Sequence, residues 1–300
     1  MMRLLHRIFD KYAMYVLLAV LCVLAAACKS KQTEIVIVPD AQKNHLQRNH
    51  IFGKVKIITT CTCVSSYAPS ETDTVSVDSL SLDTVSVYIQ HYSADGYLLS
   101  AVSLLPSGDT VSVKNLAYLS DGRPDSCLEI DYVNHTKVVC RYEYDMNDFL
   151  TAEKWYQADS LLYSISYKTD GIGNVIEMQR HYNGYSVKNV SSYNENGLVV
   201  RIDEYDPTGK VYKYITIEYD NYGDEVNRRA FKGPNDIIEY TYKEYSQDGA
   251  LKKMLFEDRL HHSKEQSVYS GHDEQKNWTV ETRTKNKKLI YKRIRNYIYY

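Results

Sequence analysis

A tyrosine that recurs at an almost constant interval constrains this chain more than any other feature of its sequence. Seven tyrosines are each followed four positions later by a glycine or an aspartate: Tyr92, Tyr118, Tyr144, Tyr167, Tyr193, Tyr219 and Tyr245. The intervals between them are 26, 26, 23, 26, 26 and 26 residues. A fixed period of this length is the signature of a repeat architecture, in which each unit packs against its neighbours.

Turn signals divide each repeat into two strands. Pairs of residues that accept positive φ, such as Asp95-Gly96 and Asn196-Gly197, follow the tyrosines, and a second set, such as Thr208-Gly209, lies midway between them. The chain therefore reverses every 12 or 13 residues from about residue 96 to residue 286, and strands of about eight residues fit between the turns. No uninterrupted stretch of this region has the length and periodicity of a helix.

The repeat predicts an all-β fold: a twisted or spiralling antiparallel sheet of about 16 strands, formed by hairpins of about 25–26 residues each. The composition agrees, because 29 tyrosines against five phenylalanines and two tryptophans suit a pleated sheet with a wet face. Four tyrosines are expected to face an aliphatic residue across their turn: Leu98, Leu150, Val199 and Leu251. Pro124 takes this position in the second repeat, and the register is expected to slip in the 23-residue repeat.

Two turns carry a more specific motif. Tyr205-Asp206 and Tyr219-Asp220 are each followed by two residues and a glycine, and Tyr144-Asp145 begins a looser third copy. These segments resemble the YD repeat of Rhs-type proteins, whose motif is Tyr-Asp-x-x-Gly followed by an aliphatic residue. The resemblance covers about residues 88–300. It implies a spiralling sheet of β-hairpins, which in large members of the family encloses a toxin.

Residues 1–27 have the layout of a cleavable signal peptide. Three basic residues come first, and Tyr12 to Ala27 is an uncharged stretch of sixteen residues, which is short for a membrane-spanning helix. It ends in Leu24-Ala25-Ala26-Ala27-Cys28, which resembles the lipobox of bacterial lipoproteins, although Ala25 stands where a larger aliphatic residue is usual. The resemblance implies acylation of Cys28 with chains such as palmitate, so that a lipid bilayer is the partner of this end. The alternative is an uncleaved anchor or an ordinary signal peptide.

Two segments separate the signal peptide from the repeats. Residues 28–50 are predicted to be the lipidated cysteine and a polar tether, in which His45 and His50 are solvated side chains. Residues 51–90 are predicted to be degenerate N-terminal strands that cover the first edge of the sheet. Residues 91–300 are the predicted repeat domain.

Four cysteines follow Cys28. Cys127 and Cys140 lie at equal distances from the middle of their predicted turn and therefore face each other across a hairpin. An exported compartment permits a disulfide there, and the sequence leaves a bridge and two buried thiols equally open. Cys61 and Cys63 point to one face of a strand and are predicted to be free thiols. No metal site is predicted from these four residues.

The sequence contains no nucleophile elbow, paired-histidine metal motif, phosphate loop or acidic calcium loop. We therefore predict no enzymatic activity, no cofactor and no metal. The expected function is that of a membrane-anchored, non-catalytic binding or scaffold lipoprotein of the bacterial cell envelope, placed at the outer membrane, with an envelope protein or polysaccharide as partner. The export signal and the formal charge of −2 argue against a nucleic-acid partner. The alternatives are a glycan-processing enzyme, which needs two carboxylates in a concave pocket, and an accessory of an Rhs-type toxin system, which rests on the resemblance alone.

Overall fold

The computed structural model describes residues 43–65, 82–182 and 184–300, all within one unit that spans residues 37–300. The predicted signal peptide and Cys28 lie outside the described residues. One short helix, α1, spans His45–Arg48, and no helix of the described segments is long and apolar enough to cross a membrane. Eighteen strands account for most of the remaining described residues. They are β1 Val55–Ser65, β2 Leu82–Tyr92, β3 Leu98–Leu104, β4 Thr110–Tyr118, β5 Pro124–Asp131, β6 Thr136–Tyr144, β7 Leu150–Gln157, β8 Ser160–Thr169, β9 Val175–Tyr182, β10 Tyr185–Tyr193, β11 Val199–Tyr205, β12 Val211–Tyr219, β13 Glu225–Phe231, β14 Ile237–Tyr245, β15 Leu251–Asp258, β16 Ser263–Ser270, β17 Val280–Lys285 and β18 Lys288–Tyr299.

The strands form one sheet that closes on itself. Consecutive strands from β2 to β18 pair antiparallel, and β1 pairs with both β2 and β18. Ile58 of β1, for example, lies opposite Gln90 of β2 on one side and Tyr297 of β18 on the other. The architecture is therefore a closed antiparallel β-barrel.

The prediction of an all-β fold of antiparallel hairpins is confirmed, but the sheet is a closed barrel of 18 strands and not the spiralling sheet of about 16 strands that the repeat predicts. β1 lies along β2, where N-terminal strands were expected to cover the first edge, and it also covers the edge of β18. An open sheet leaves a row of unpaired N–H and C=O groups at each edge. One strand placed between the two ends satisfies both rows, which is the physical reason for the closure.

The Tyr-Asp-x-x-Gly segments form turns at both ends of the barrel. The Tyr219-Asp220 turn, between β12 and β13, lies at the end that carries the repeat tyrosines, called here the tyrosine end, and the Tyr205-Asp206 turn lies at the opposite end. In the β11–β12 turn, the Asp206 carboxylate accepts hydrogen bonds from the N–H groups of Thr208 (2.9 Å) and Lys210 (3.1 Å). The Asp206 N–H donates to the Lys210 carbonyl, and Gly209 has a φ of +83°. This is a three-residue loop in which a type I turn is followed by a left-handed residue. The same pair of N–H bonds is accepted at the equivalent position of other turns by Asp145, Asp170, Asn194, Asp220 and Asp273.

Five of the seven repeat tyrosines at the tyrosine end close a strand and donate a hydrogen bond to the backbone of the strand before it. The Tyr118 hydroxyl donates to the carbonyl of Leu98 (2.5 Å), the residue that begins β3. In the last of these turns His272 replaces the tyrosine, and its Nε2 lies 3.0 Å from the Leu251 carbonyl. Bonds equivalent to that of Tyr118, of 2.6 to 3.2 Å, join Tyr144 to Pro124, Tyr193 to Val175, Tyr219 to Val199 and Tyr245 to Glu225.

The four predicted tyrosine–aliphatic pairs are present, for example Tyr92 opposite Leu98. Tyr167 departs from the pattern. It lies opposite Met178, and Thr169 takes the tyrosine position at the end of β8. The reason is local, because the residue with positive φ in this turn is Gly173 (+92°), two positions later than the sequence pattern indicated.

Strand alternation divides the side chains into an inner and an outer face. Pairing places Cys127, Cys140, Trp155 and Tyr163 on one face. Ile165, two residues beyond Tyr163 in the same strand, is buried, as are both cysteines. This face is the inner one, because a closed barrel encloses it.

Candidate binding cavity

Residues 43–54 form a strap against the tyrosine end of the barrel. Its helix α1 begins with a capping box, in which Asn44 and Gln47 exchange side-chain to N–H hydrogen bonds of 2.9 Å. Leu46 is 4% exposed and belongs to a buried cluster that includes Ile58 and Tyr92. The prediction of a polar tether as far as residue 50 is therefore wrong for residues 44–50, because Leu46 anchors this polar segment in the core.

The strap joins turns that are far apart in the strand order. At the β2–β3 turn, the Leu46 N–H donates to the Gly96 carbonyl (3.3 Å). At the turn between β16 and β17, the Phe52 N–H donates to Asn277 Oδ1 (2.7 Å), and Asn277 Nδ2 donates to the Phe52 carbonyl (2.8 Å). The strap thus crosses the tyrosine end and fixes the mouth of the barrel.

His50 clamps the strap between two further turns. Its Nε2 lies 2.8 Å from the Gly249 carbonyl and its Nδ1 lies 3.2 Å from Asp224 Oδ1. Both partners are acceptors, so both bonds form only when the ring is protonated on both nitrogens. Burial opposes that charge, but the bonds to Asp224 and Gly249 outweigh it and raise the pKa of His50. Phe52 and Tyr245 enclose the ring, each at 4.9 Å between ring centroids.

A cavity of about 730 Å³ lies between the strap and the turns that connect β4 to β10. Its size is within the range of small-molecule sites. Six aromatic rings line it: Tyr97, Tyr142, Tyr144, Phe149, Tyr167 and Tyr193. Its polar and charged lining comprises Lys43, Asn44, His45, Arg48, Arg123, Asp148, Glu153 and Asn174.

Two buried polar atoms of the lining have no hydrogen-bond partner. Asn174 is 3% exposed, and its Nδ2 donates to Asp170 (2.9 Å) while its Oδ1 has no partner. His45 Nδ1 also lacks one. Burial, with Arg48 and Lys114 nearby, lowers the pKa of His45, so its ring is neutral at physiological pH. Buried polar groups are normally paired, so these atoms mark the cavity as a place where a ligand can bond.

Glu153 supplies a carboxylate from the inner face of β7. Its Oε1 accepts a hydrogen bond from the Tyr167 hydroxyl (2.8 Å) and its Oε2 accepts one from Trp155 Nε1 (3.3 Å). Burial, followed by the charge of Glu153, raises the pKa of Tyr167 far above its ordinary value, so the hydroxyl stays protonated and donates. Both donors to Glu153 are therefore neutral.

Arg123 occupies the turn side of the cavity. Its guanidinium pairs with Asp121 (2.5 Å) and with Asp148 (2.8 Å), and it lies over the ring of Tyr144 at 4.6 Å from the centroid. The carboxylates neutralise this cation. The stacking also shows that a ring of the lining accepts a positive charge on its face.

Three of the seven repeat tyrosines, Tyr144, Tyr167 and Tyr193, line the cavity. The others form the same end of the barrel without reaching it. Sequence reasoning did not identify Glu153 or Asn174 as site residues. The signal for Glu153 is its position two residues from Trp155 in one strand, which puts both on one face, but the sequence does not tell which face is enclosed.

The two cysteines of the predicted hairpin lie directly opposite each other, Cys127 in β5 and Cys140 in β6. Both are buried free thiols in this structure. Cys63, which is buried, and Cys61, which is half-buried, are also free thiols. Burial raises the pKa of Cys127 to about 11 and that of Cys140 to about 12. Both are therefore protonated and weakly reactive at neutral pH. Within the described residues, no group of three or more metal-ligating side chains is present.

Comparison with known proteins gives distant likenesses only. No family model and no curated protein matches the chain. Among solved structures, TcdB2-TccC3-TEV has 11% sequence identity and a TM-score of 0.34 over 78% of this chain, and TcdB2-TccC3 without its hypervariable C-terminal region has the same values over 83%. This chain spans 16% and 17% of the length of those two chains. A porin-like protein from Bacteroides uniformis has 12% identity and a TM-score of 0.44 over 82% of this chain and 97% of its own. Likenesses of this size are too distant to carry an argument about function.

Proposed function

We propose that this chain is a non-catalytic binding protein of the bacterial envelope, which takes a saccharide into the cavity beneath its strap. The observation that carries the proposal is the unpartnered, buried Oδ1 of Asn174 in a cavity walled by six aromatic rings. A saccharide has apolar C–H faces that pack on rings and hydroxyls that donate to buried acceptors. Aromatic walls with a few converging polar groups are the usual construction of such a site.

Binding is favoured over glycan hydrolysis. A glycosidase needs two carboxylates on opposite sides of the scissile bond. Glu153 is one carboxylate of the cavity. The other, Asp148, is 72% exposed and paired with Arg123, which suits a role in holding the turn.

The outer face of the barrel supports an aqueous location for this domain. Charged pairs lie on this face: Lys154 of β7 with Glu143 of β6 (2.6 Å), Arg229 of β13 with Glu218 of β12 (2.7 Å), and Arg201 with Asp203 within β11 (2.6 Å). Such groups cost several kcal/mol each in hydrocarbon. The proposal therefore puts the barrel on the aqueous side of the outer membrane, held there by acylated Cys28.

Acylation is tested separately from binding. Cells that express the chain and are fed an alkyne fatty acid should label the wild type and leave Cys28→Ser unlabelled. Label retained by Cys28→Ser would remove the lipid anchor from the proposal and leave the cavity unaffected.

Binding is tested with a glycan array followed by calorimetry on the purified chain that starts at residue 29. Phe149→Ala removes a ring of the cavity and should weaken the best array ligand by about tenfold or more. Phe231→Ala is the matched control, because its ring stacks on Tyr214 at 4.6 Å on the outer face. An array without any bound glycan, or equal affinities for the two variants, would overturn the proposal.

A further inference from the structure

The wall of the cavity formed by β6, β7 and β8 carries the carboxylate of Glu153, which forms no ion pair with a lysine or arginine of the described residues. Resting on the proposed function, we propose that the saccharide bears a protonated amine and that Glu153 binds this amine.

The position of Glu153 places its carboxylate between rings. On the inner face it lies opposite Tyr142 of β6 and Ile165 of β8. Tyr142 and Tyr167, the donor to its Oε1, line the same cavity. An ammonium bound to Glu153 therefore has aromatic rings beside it, and the negative faces of such rings attract a cation.

Other carboxylates of the inner face have cationic partners within the protein. Glu129 pairs with Lys114 (2.6 Å), Glu265 with Arg283 (2.5 Å) and Glu281 with Arg293 (3.4 Å). Glu153 differs, because its donors are the neutral groups of Tyr167 and Trp155, and no lysine or arginine of the described chain forms an ion pair with it. A half-buried carboxylate is stabilised by an opposite charge. A cationic ligand supplies it.

The hydrogen-bond inventory also favours a donor-rich ligand. A carboxylate has about four acceptor positions, of which Glu153 uses two, and Asn174 Oδ1 offers another acceptor. An ammonium carries three donors and no acceptor. Of the cations in the lining, Arg123 does not oppose it, since Asp121 and Asp148 already neutralise that guanidinium. Lys43 and Arg48 belong to the strap, whereas Glu153 belongs to the β6–β8 wall. The neutral His45 ring adds no positive charge.

The test compares three oligosaccharide probes of equal length on the purified chain: a glucosamine oligomer, its fully N-acetylated form and a uronic-acid oligomer. At about pH 6 the wild type should bind the amine-bearing probe about tenfold more tightly than the acetylated one and the uronic-acid probe most weakly. Glu153→Gln keeps the shape and the acceptor oxygen, and should bring the first two affinities to within about threefold. Glu204→Gln is the control, because it removes the same charge from the inner face outside the cavity and should leave the preference unchanged.

A measurement on the wild type alone covers the case in which Glu153→Gln does not fold. The preference for the amine-bearing probe should disappear at about pH 9, where the amine is neutral. Equal binding of the amine and acetylated probes at about pH 6, or a preference that survives Glu153→Gln or the higher pH, would overturn the inference and leave the proposed function standing. Failure of all three probes and of the glycan array would instead overturn the proposed function.

Discussion

Two residues of a repeat such as Tyr219-Asp220 have separate roles at the tyrosine end of the barrel. The aspartate binds the backbone of its own turn, as Asp220 does with the N–H groups of Tyr222 and Asp224. The tyrosine binds the backbone of the strand before it, as Tyr118 does with Leu98. The aspartate therefore stabilises a single turn, whereas the tyrosine joins neighbouring hairpins. Where Thr169 and His272 stand in place of the tyrosine, Asp170 and Asp273 still bind the backbone of their turns, and His272 Nε2 lies 3.0 Å from the Leu251 carbonyl of the strand before it.

The tyrosine contact predicts a measurable cost. Tyr118→Phe keeps the ring and deletes the hydroxyl that donates to Leu98, so the free energy of unfolding should fall by about 0.5–1.5 kcal/mol. Tyr132→Phe is the control, because Tyr132 is 48% exposed in a turn at the other end of the barrel, and should change little. Urea denaturation of both variants measures the difference. Equal costs would show that the hydroxyl bond contributes nothing to joining the hairpins.

At the scale of elements, the strap forms one side of the cavity at the tyrosine end of the barrel. Its helix contributes His45 and Arg48 to the cavity lining, and the N-cap of that helix contributes Asn44. Its position depends on the buried Leu46 and on the clamp formed by His50 with the β12–β13 and β14–β15 turns. The charged groups that face His50 are Asp224, which favours its protonated form, and Lys243, which opposes it.

The clamp predicts a pH dependence with a definite sign. The folded-state pKa of His50 is raised above its ordinary value of 6.5. Its stabilisation is therefore fully present below the unfolded pKa and is lost as pH rises through the folded pKa. The wild type should be more stable than His50→Gln at about pH 6, and the gap should shrink towards about pH 9. His181→Gln, at an exposed outer-face position, should show no such trend in the same urea titrations. A gap that is constant or grows with pH would contradict the clamp.

For the molecule as a whole, closure of the sheet means that its first and last strands are paired on both sides, as its middle strands are. Tyr297 lies only three residues before the end of the chain, yet its hydroxyl donates to the Trp278 carbonyl (3.0 Å) and its strand is paired on both sides. An open sheet would leave this residue near an edge with fewer neighbours than Tyr193. In the closed barrel, the strands of both tyrosines are paired on both sides.

Substitutions at these two positions should therefore cost about the same. Tyr193→Ala and Tyr297→Ala should each lower the free energy of unfolding by about 2–3 kcal/mol, somewhat below the value for a fully buried aromatic side chain. Chemical denaturation of the two variants under one set of conditions measures both. A cost at Tyr297 less than half of that at Tyr193 would indicate a free edge.

The parts of this fold that the sequence predicts are the local ones. Turns such as Asp206–Lys210 depend on residues within five positions, so their motif can be recognised in the sequence. The position of a turn also predicts the pairing across it, such as that of Tyr92 with Leu98. Closure depends on the pairing of β1 with β18, such as Ile58 with Tyr297, across most of the chain length. The alternating pattern of β1 predicts a strand but does not predict the strands with which it pairs. Because closure decides which face of the sheet is enclosed, the sequence pattern predicts neither the cavity nor the position of Glu153 in its wall.

Hydrogen exchange of the unliganded protein, read by mass spectrometry, tests the closed ring most directly. The ring predicts that amides of residues 57–63 in β1 and 292–298 in β18 exchange as slowly as those of β12, because each of these strands is paired on both sides. Fast exchange in both segments, with protection confined to the strands between β6 and β14, would contradict it. The sheet would then be open, and the enclosed cavity would have no wall to define it.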